Sequence, residues 1–216
     1  MTATLPSRRA IASRDHGTST GTGTHAGAGR SRPTANLPTR LRPADLLRIT
    51  DQGVADVIDG RYDHLLPESW DPVERWSTRL ESDDDLDLWL ISWTPDRSTD
   101  LHDHAGSLGA LTVLSGDLRE YRWTGHDLAL RILTAGDQAA FPLGWVHDVQ
   151  HHDSTPPRRD LLDADSRGDD TAIDVHPGPT LSVHAYAPPL TAMSFYEVTE
   201  SGSLRRTRTE LTNEPE

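Results

Sequence analysis

The spacing of apolar residues changes along the chain, from a helical period to short strand-like runs. Between Pro43 and Ile58, leucine, isoleucine and valine residues fall near one helical stripe, and Gly60 follows as a stop signal. This pattern predicts a helix over residues 43–58. A second, shorter helix is predicted around Pro72 to Ser77.

Short apolar runs separated by turn residues dominate the rest of the chain. Ser115-Gly116-Asp117 and Ala135-Gly136-Asp137 are two of the turns. The predicted strands are Leu86 to Trp93, Leu108 to Leu114, Leu118 to Trp123, Leu128 to Leu133, Gln138 to Phe141, Trp145 to Gln150, Thr180 to Ala187 and Met193 to Val198. Many short strands at this spacing predict a mainly β fold, an antiparallel barrel or double-sheet jelly roll with a short N-terminal helical segment.

Composition divides the chain into a central folded domain and polar extensions. Apolar residues make up 34% of the sequence, which is low for a globular chain. Residues 1–40 are rich in Thr, Ser, Gly, Ala and Arg, and they are predicted to form a disordered tail. The folded domain is predicted to span residues 41–200, with a long exposed loop inserted at 151–178. Residues 201–216 are predicted to form a polar, frayed tail.

Charge and residue usage exclude several classes of function. The formal net charge is −13, which argues against nucleic acid as a partner. The absence of cysteine excludes disulfides, thiolate metal sites and a cysteine nucleophile. No apolar run approaches the ~20 residues needed to cross a bilayer, and the stretch after Arg8-Arg9 is too short for a signal peptide. We therefore expect a cytoplasmic monomer that binds neither nucleic acid nor a membrane.

The first chemical signal is the segment His102-Asp103-His104. Alternate residues of a strand face the same side, so both imidazoles can point into one barrel interior. Taken alone, the pair is equally compatible with histidines that bind nothing, because the chain has 11 histidines.

A second run places a third histidine further along the chain. It consists of Gly136, five residues, the segment 142–144 (Pro-Leu-Gly), two residues and His147. Together the two runs resemble the two signature motifs of the cupin superfamily, whose histidines bind a metal ion. The first motif departs from the family pattern at two positions, because Asp96 replaces its opening glycine and Gly109 replaces its glutamate.

The absence of the glutamate indicates which group of cupins the chain resembles. Most cupins bind their metal with three histidines and one carboxylate. Three neutral imidazoles leave a divalent ion with its full charge and three open positions, which suits an anionic bidentate ligand together with dioxygen. Within the superfamily this ligand set is the mark of the thiol dioxygenases, so the resemblance implies a metal site made of His102, His104 and His147. The alternative is a cupin whose core histidines hold no metal.

The segment Ser182-Val-His184-Ala-Tyr186 resembles the SxHxY segment of the cysteine dioxygenase family. Alternation places Ser182, His184 and Tyr186 on one face of one strand. The resemblance implies that the serine orients the histidine and that the histidine orients the tyrosine, which hydrogen-bonds oxygen or substrate. Gly109 stands where animal members carry a cysteine crosslinked to the tyrosine, and this chain cannot form that crosslink. The alternative is three polar residues on a solvated strand face.

Arg79 lies where members of the family carry an arginine that pairs with the substrate carboxylate. A guanidinium fork grips a carboxylate bidentately, which favours an amino acid such as cysteine as substrate. An arginine that only faces solvent is the alternative. In addition, Ala187-Pro188 follows Tyr186, where the family often has a cis peptide bond. Ser77 departs from the family, since animal members have a tyrosine there.

The resemblance covers about residues 43–200 and implies a reaction. It implies an Fe(2+)-dependent enzyme that oxidises L-cysteine with O2 to cysteine sulfinate, with Tyr186, His184 and Ser182 as catalytic residues and Arg79 as the substrate-binding residue. Two alternatives stay open. One is a dioxygenase of another small thiol, such as 3-mercaptopropionate, and the other is a non-catalytic cupin that binds a metal or a small ligand.

Overall fold

The computed structural model of the protein describes residues 40–95, 97–153 and 179–215. The predicted N-terminal tail up to residue 39, the position of Asp96 and residues 154–178 of the predicted insertion lie outside the described residues. Among the residues that are described, no helix combines the length and the apolarity needed to span a membrane.

One α-helix and eleven strands make up the described part of the fold. Helix α1 spans Pro43–Ile58, as its apolar period predicts, and a 3-10 turn follows at Asp63–Leu65. The strands are β1 (Ser77–Ser82), β2 (Asp87–Trp93), β3 (Leu101–Asp103), β4 (Leu108–Ser115), β5 (Asp117–Trp123), β6 (Leu128–Thr134), β7 (Gln138–Phe141), β8 (His147–His152), β9 (Thr180–Ala187), β10 (Ala192–Val198) and β11 (Leu204–Leu211).

The strands form two sheets, and every strand pair described is antiparallel. The strand order is β1-β2-β9-β4-β7 in one sheet and β11-β10-β3-β8-β5-β6 in the other. The prediction of a mainly β, double-sheet fold with one N-terminal helical segment is therefore confirmed.

Alternation along the central strands builds two apolar layers. Every residue of β2 is buried. Trp89 and Ile91 pack between the two sheets against Phe195, whereas Leu88 and Leu90 belong to the layer that α1 covers. Strand β9 repeats this alternation in register with β2, with its odd-numbered residues toward the helix and its even-numbered residues between the sheets. The interior position of the even-numbered residues of β9 matters for the site described below.

The short helix predicted around Pro72 to Ser77 is wrong. The Oδ1 atom of Asp71 accepts hydrogen bonds from the backbone N–H groups of Val73 at 2.7 Å and Glu74 at 2.9 Å. Such a local side-chain contact competes with helical hydrogen bonding. The chain then extends into β1, which pairs with β2.

The frayed tail predicted from Ser201 is wrong for the segment Leu204–Leu211. This segment is strand β11, which pairs with β10 at the edge of the six-stranded sheet. All its residues after Leu204 are exposed. A polar composition is compatible with an edge strand, because such a strand can face water on one side.

We expect Leu46→Ala to destabilise the protein by about 2–5 kcal/mol, because a fully buried leucine loses its apolar contacts and leaves a cavity. Leu46 packs in the layer between α1 and the five-stranded sheet. The free energy of unfolding, measured with urea, checks this. Ile58→Ala on the same helix is the control, since Ile58 is 70% exposed and a surface substitution changes stability by only about 0.5 kcal/mol. Equal stabilities of the two variants would contradict the expectation.

Candidate metal centre

Three histidine side chains converge between the two sheets. His102 lies on β3 and pairs directly opposite His147, the first residue of β8, while His104 follows β3 immediately. The ring centroids are 4.8 Å apart for His102 and His147, 5.1 Å for His102 and His104, and 5.3 Å for His104 and His147. One nitrogen from each ring lies within 4.8 Å of the other two, and all three rings are buried. The predicted ligands therefore form one cluster that could hold a metal ion.

The outer nitrogens of two of these rings have hydrogen-bond acceptors. Nδ1 of His102 lies 2.9 Å from the backbone oxygen of Asp100, and Nδ1 of His147 lies 3.0 Å from Oε1 of Glu120. Since both partners accept, each neutral ring carries its hydrogen on Nδ1 and presents the lone pair of Nε2. Nε2 of His147 is buried and has no hydrogen-bond partner among the described residues. A buried nitrogen with a lone pair and no donor fits a bound cation.

The electrostatic environment keeps two of these imidazoles uncharged. Burial, followed by the neighbouring His147, lowers the pKa of His102 to about 3. Burial also lowers the pKa of His104 well below its usual value, with His102 and His147 adding to the effect. At neutral pH the two rings are therefore deprotonated, as a metal ligand must be.

Gly109 on β4 gives the cluster the space it occupies. A Cβ atom at this position would lie 2.9 Å from Cδ2 of Phe141 and 3.2 Å from Nδ1 of His104. The His104 and Phe141 rings pack closely, with centroids 5.7 Å apart, so a larger side chain at Gly109 would displace one of them. Within the described ranges, the candidate ligand group consists of histidines only.

The three polar residues of β9 face the same interior space. Ser182 Oγ lies 2.8 Å from Nε2 of His184, and Nδ1 of His184 lies 3.3 Å from Oη of Tyr186. All three are buried, and the Tyr186 ring is 5.0 Å from the His104 ring. The indole N–H of Trp93 donates to Ser182 Oγ at 2.7 Å. The structure thus brings the predicted Ser182, His184 and Tyr186 beside the histidine cluster and adds Trp93 to them.

Trp93 decides the direction of the hydrogen bonds along this series. An indole N–H can only donate, so the hydroxyl hydrogen of Ser182 has Nε2 of His184 as its acceptor. The His184 ring then carries its hydrogen on Nδ1 and donates to Oη of Tyr186. In the opposite arrangement the buried Ser182 hydrogen would have no acceptor in the series, which is unfavourable. The Tyr186 hydroxyl hydrogen is consequently available to a group outside the series.

Arg79, the predicted carboxylate-binding residue, has partners of its own in the structure. Its guanidinium donates to the backbone oxygen of Asn213 at 2.9 Å and stacks over the Trp89 ring, 4.6 Å from its centroid. Its Nε atom lies 3.7 Å from Oδ1 of the buried Asp87. These contacts tie Arg79 to its own hairpin and to the C-terminal segment.

Arg75 is the arginine whose charge reaches the cluster. Its guanidinium carbon lies 4.1 Å from the centroid of the Trp93 ring. Burial lowers the pKa of His184 well below its usual value, and the charge of Arg75 is the next cause. The same charge contributes to the lowered pKa of His102, and it opposes the burial that raises the pKa of Tyr186.

The sequence analysis did not identify Arg75 as a site residue, because the position of Arg75 depends on the register between β1 and β2. Ser77 pairs opposite Ile91, and the backbone N–H of Trp76 donates to Ser92 Oγ at 2.8 Å. Continuing this pairing brings Arg75 opposite Trp93. The two-residue spacing of Arg75, Ser77 and Arg79 places all three on one face of an extended segment. This spacing could have identified Arg75 as a second candidate beside Arg79.

We expect Gly109→Ala to weaken binding of Co(II), a spectroscopic substitute for the native ion, by at least about tenfold. Overpacking at a filled position costs about 1–3 kcal/mol, and the His104 ring is one of the two groups that must move. Titration of the metal-free protein with Co(II) measures the change. Gly106→Ala is the matched control, since a Cβ atom there meets nothing within 4 Å. Equal Co(II) affinity in both variants would show that Gly109 does not shape the site.

Comparison with known protein families gives one match. The sequence model of the family described as cysteine dioxygenase type I matches residues 68–140, about a third of the chain. The match includes Arg75, His102, His104 and Gly109 but ends before His147 and β9. The Ala187–Pro188 peptide bond, beyond the match, is cis as the resemblance implies. No curated protein matches the sequence.

Several solved structures are similar to this chain at low sequence identity. KdgF from Halomonas sp. is 15% identical, with 56% of this chain and 88% of that chain covered and a TM-score of 0.39. An uncharacterised conserved protein with a double-stranded β-helix domain from Klebsiella pneumoniae is 17% identical, with 68% and 93% covered and a TM-score of 0.39. A cupin superfamily protein from Desulfitobacterium hafniense is 12% identical, with 55% and 82% covered and a TM-score of 0.38. The chain is therefore similar to the cysteine dioxygenase type I family over residues 68–140.

Proposed function

We propose that this protein is an Fe(II)-dependent thiol dioxygenase that oxidises L-cysteine with O2 to cysteine sulfinate. The observation that carries the proposal is a buried cluster of three imidazoles with no carboxylate ligand among the described residues, next to the Tyr186 phenol. The family match supports the class of reaction. In this reaction both atoms of O2 are added to the sulfur, and the thiol becomes a sulfinate.

The ligand set favours an anionic substrate. A ligand set of three imidazoles would leave the charge of a bound divalent ion uncompensated, and Gly109 provides no carboxylate to reduce that charge. A thiolate satisfies both the charge and the preference of such an ion for a soft donor. Bound Fe(II) would supply the redox chemistry that joins O2 to the sulfur.

Tyr186 contributes a hydrogen-bond donor to this space. The series Trp93, Ser182 and His184 leaves the Tyr186 hydroxyl hydrogen free to point away from β9. Burial raises the pKa of Tyr186, so the phenol keeps its proton at neutral pH. A donor held in a fixed direction stabilises negative charge that develops on nearby oxygen without further reorganisation.

Arg75 supplies the positive charge that would select a carboxylate. Its guanidinium is packed on Trp93, whose N–H bonds to Ser182, so it lies on the same side of the site as the β9 series. Its charge acts on His102, His184 and Tyr186. In this proposal the carboxylate-binding role predicted for Arg79 therefore passes to Arg75. A bidentate arginine–carboxylate pair distinguishes an amino acid from a simple thiol.

The reaction is tested by incubating Fe(II)-loaded protein with L-cysteine while measuring oxygen uptake and sulfinate. We expect equal molar amounts of O2 consumed and sulfinate formed. His147→Ala should lose both activity and stoichiometric iron, because it removes a third of the ligand set. A panel of cysteine, cysteamine and 3-mercaptopropionate identifies the preferred thiol. Absence of turnover with every thiol, in protein that holds one iron per chain, would reject the enzyme in favour of a metal-binding cupin.

We expect Arg75→Gln to raise KM for L-cysteine by roughly 10- to 100-fold, since a charge-assisted hydrogen-bonded contact is worth about 1.5–3 kcal/mol. KM for cysteamine, which lacks the carboxylate, should change little. Arg79→Gln is the matched control, because its guanidinium contacts Asn213 and Asp87 instead. Steady-state kinetics of both variants with both thiols provide the measurement. A large effect on cysteine in Arg79→Gln, with none in Arg75→Gln, would reverse the assignment.

A further inference from the structure

Glu120 on β5 is a carboxylate with 0% of its surface exposed. Removing an ionised carboxylate from water costs several kcal/mol unless it is paired and hydrogen-bonded. Because β5 pairs with β8, the Glu120 side chain reaches His147 across the strand pair. Glu120 is nevertheless buried, and it lies beside a candidate metal ligand.

Both oxygens of Glu120 are engaged by positively polarised groups. Oε1 lies 3.0 Å from Nδ1 of His147, and Oε2 accepts a hydrogen bond from the Nε–H of Arg131. Arg131 stands directly opposite Glu120 on the edge strand β6, and its side chain is 43% exposed. The carboxylate therefore connects a buried candidate ligand to a cation that reaches solvent.

The carboxylate makes the candidate ligands unequal. The corresponding nitrogen of His102 lies against the backbone carbonyl of Asp100, whereas that of His147 lies against a carboxylate. A carboxylate acceptor on the outer nitrogen makes an imidazole more basic and fixes its orientation. Gly109 provides no carboxylate that could bind an ion directly. The nearby negative charge instead belongs to Glu120, which contacts the outer nitrogen of His147.

We infer that Glu120 is a positioning residue of the metal centre. It keeps the His147 hydrogen on Nδ1 and directs Nε2 into the cluster. Its negative charge also makes His147 a stronger electron donor to a bound ion, for which the three histidines provide no negative charge of their own. Arg131 holds the carboxylate in place and limits how much of its charge acts on His147. The inference rests on the proposed function only in that the three histidines bind a metal ion.

Glu120→Gln is the primary test, because glutamine keeps the size and an acceptor oxygen but removes the charge. Titration of the metal-free, full-length protein with Co(II) should show an affinity lower by about 10- to 100-fold. The visible absorption of the bound Co(II) should shift, because the donor strength of one ligand has changed. The urea midpoint of the metal-free variant should not fall, since a buried charge is removed and Arg131 can turn to solvent. A structural role alone would lower the midpoint and leave the affinity unchanged.

Arg131→Met separates the two partners of the carboxylate. It leaves Glu120 buried with His147 alone, so the metal-free protein should unfold at lower urea concentration. Co(II) should bind at least as tightly as to the wild type, because the ion becomes the main countercharge of the carboxylate. Weaker Co(II) binding in Arg131→Met would contradict the inference.

Glu197→Gln is the matched control on the same sheet. Glu197 on β10 forms a cross-strand pair with Arg205, as Glu120 does with Arg131, but its side chain is 44% exposed. Its Co(II) affinity should stay within about twofold of the wild type, as for a surface substitution. Wild-type affinity in Glu120→Gln, or equal weakening in Glu197→Gln, would overturn the inference. Co(II) binding needs no thiol, so wild-type protein that binds Co(II) but oxidises no thiol would refute the proposed function and leave this inference standing.

Discussion

The pairing of His102 opposite His147 brings imidazoles into a space between two apolar sheets, and the rest of the site is built around that constraint. A buried imidazole is unfavourable unless its nitrogens are satisfied. The outer nitrogens of these two rings meet acceptors from Asp100 and Glu120, while the inner nitrogens lie close to those of the neighbouring rings. A cation bound among them satisfies all three lone pairs together.

The same constraint explains why a glycine lies beside the cluster. Gly109 lets the His104 ring pack against Phe141, so the third imidazole can approach the other two. A side chain long enough to carry a carboxylate would occupy that space. The absence of a side chain at Gly109 therefore fixes both the geometry and the charge of the candidate ligand set, which is the basis for proposing an anionic substrate.

Two charged residues, Arg75 and Glu120, lie near the histidine cluster, at different sheets. Arg75 precedes β1 of the five-stranded sheet and packs on Trp93, beside the polar series of β9. Glu120 belongs to the six-stranded sheet and contacts a candidate ligand directly. In the proposed enzyme the first group acts on the substrate and the second on the metal. The β9 series completes the substrate side with a phenol whose donor direction is set by Trp93.

Two edge strands, β1 and β11, are among the elements that the sequence prediction lacks. Strand β11 is exposed along almost its whole length and therefore has the composition of a polar tail. The central strand β3 is only three residues long, too short for an apolar pattern, and it is also absent from the predicted series. Strands β2, β4 and β9 were predicted to within one residue of their bounds, because nearly all their residues are buried.

The residue pattern was sufficient to predict the mainly β fold, the helix at Pro43–Ile58 and the shared face of Ser182, His184 and Tyr186. The two-residue period of a strand acts within a short segment, so it can be recognised locally. The grouping of His147 with His102 and His104 came from the resemblance to the cupin motifs. The folded structure was needed to show that Arg75 packs on Trp93 and that Glu120 lies behind His147. Those contacts depend on the register between neighbouring strands, and no local pattern contains that register.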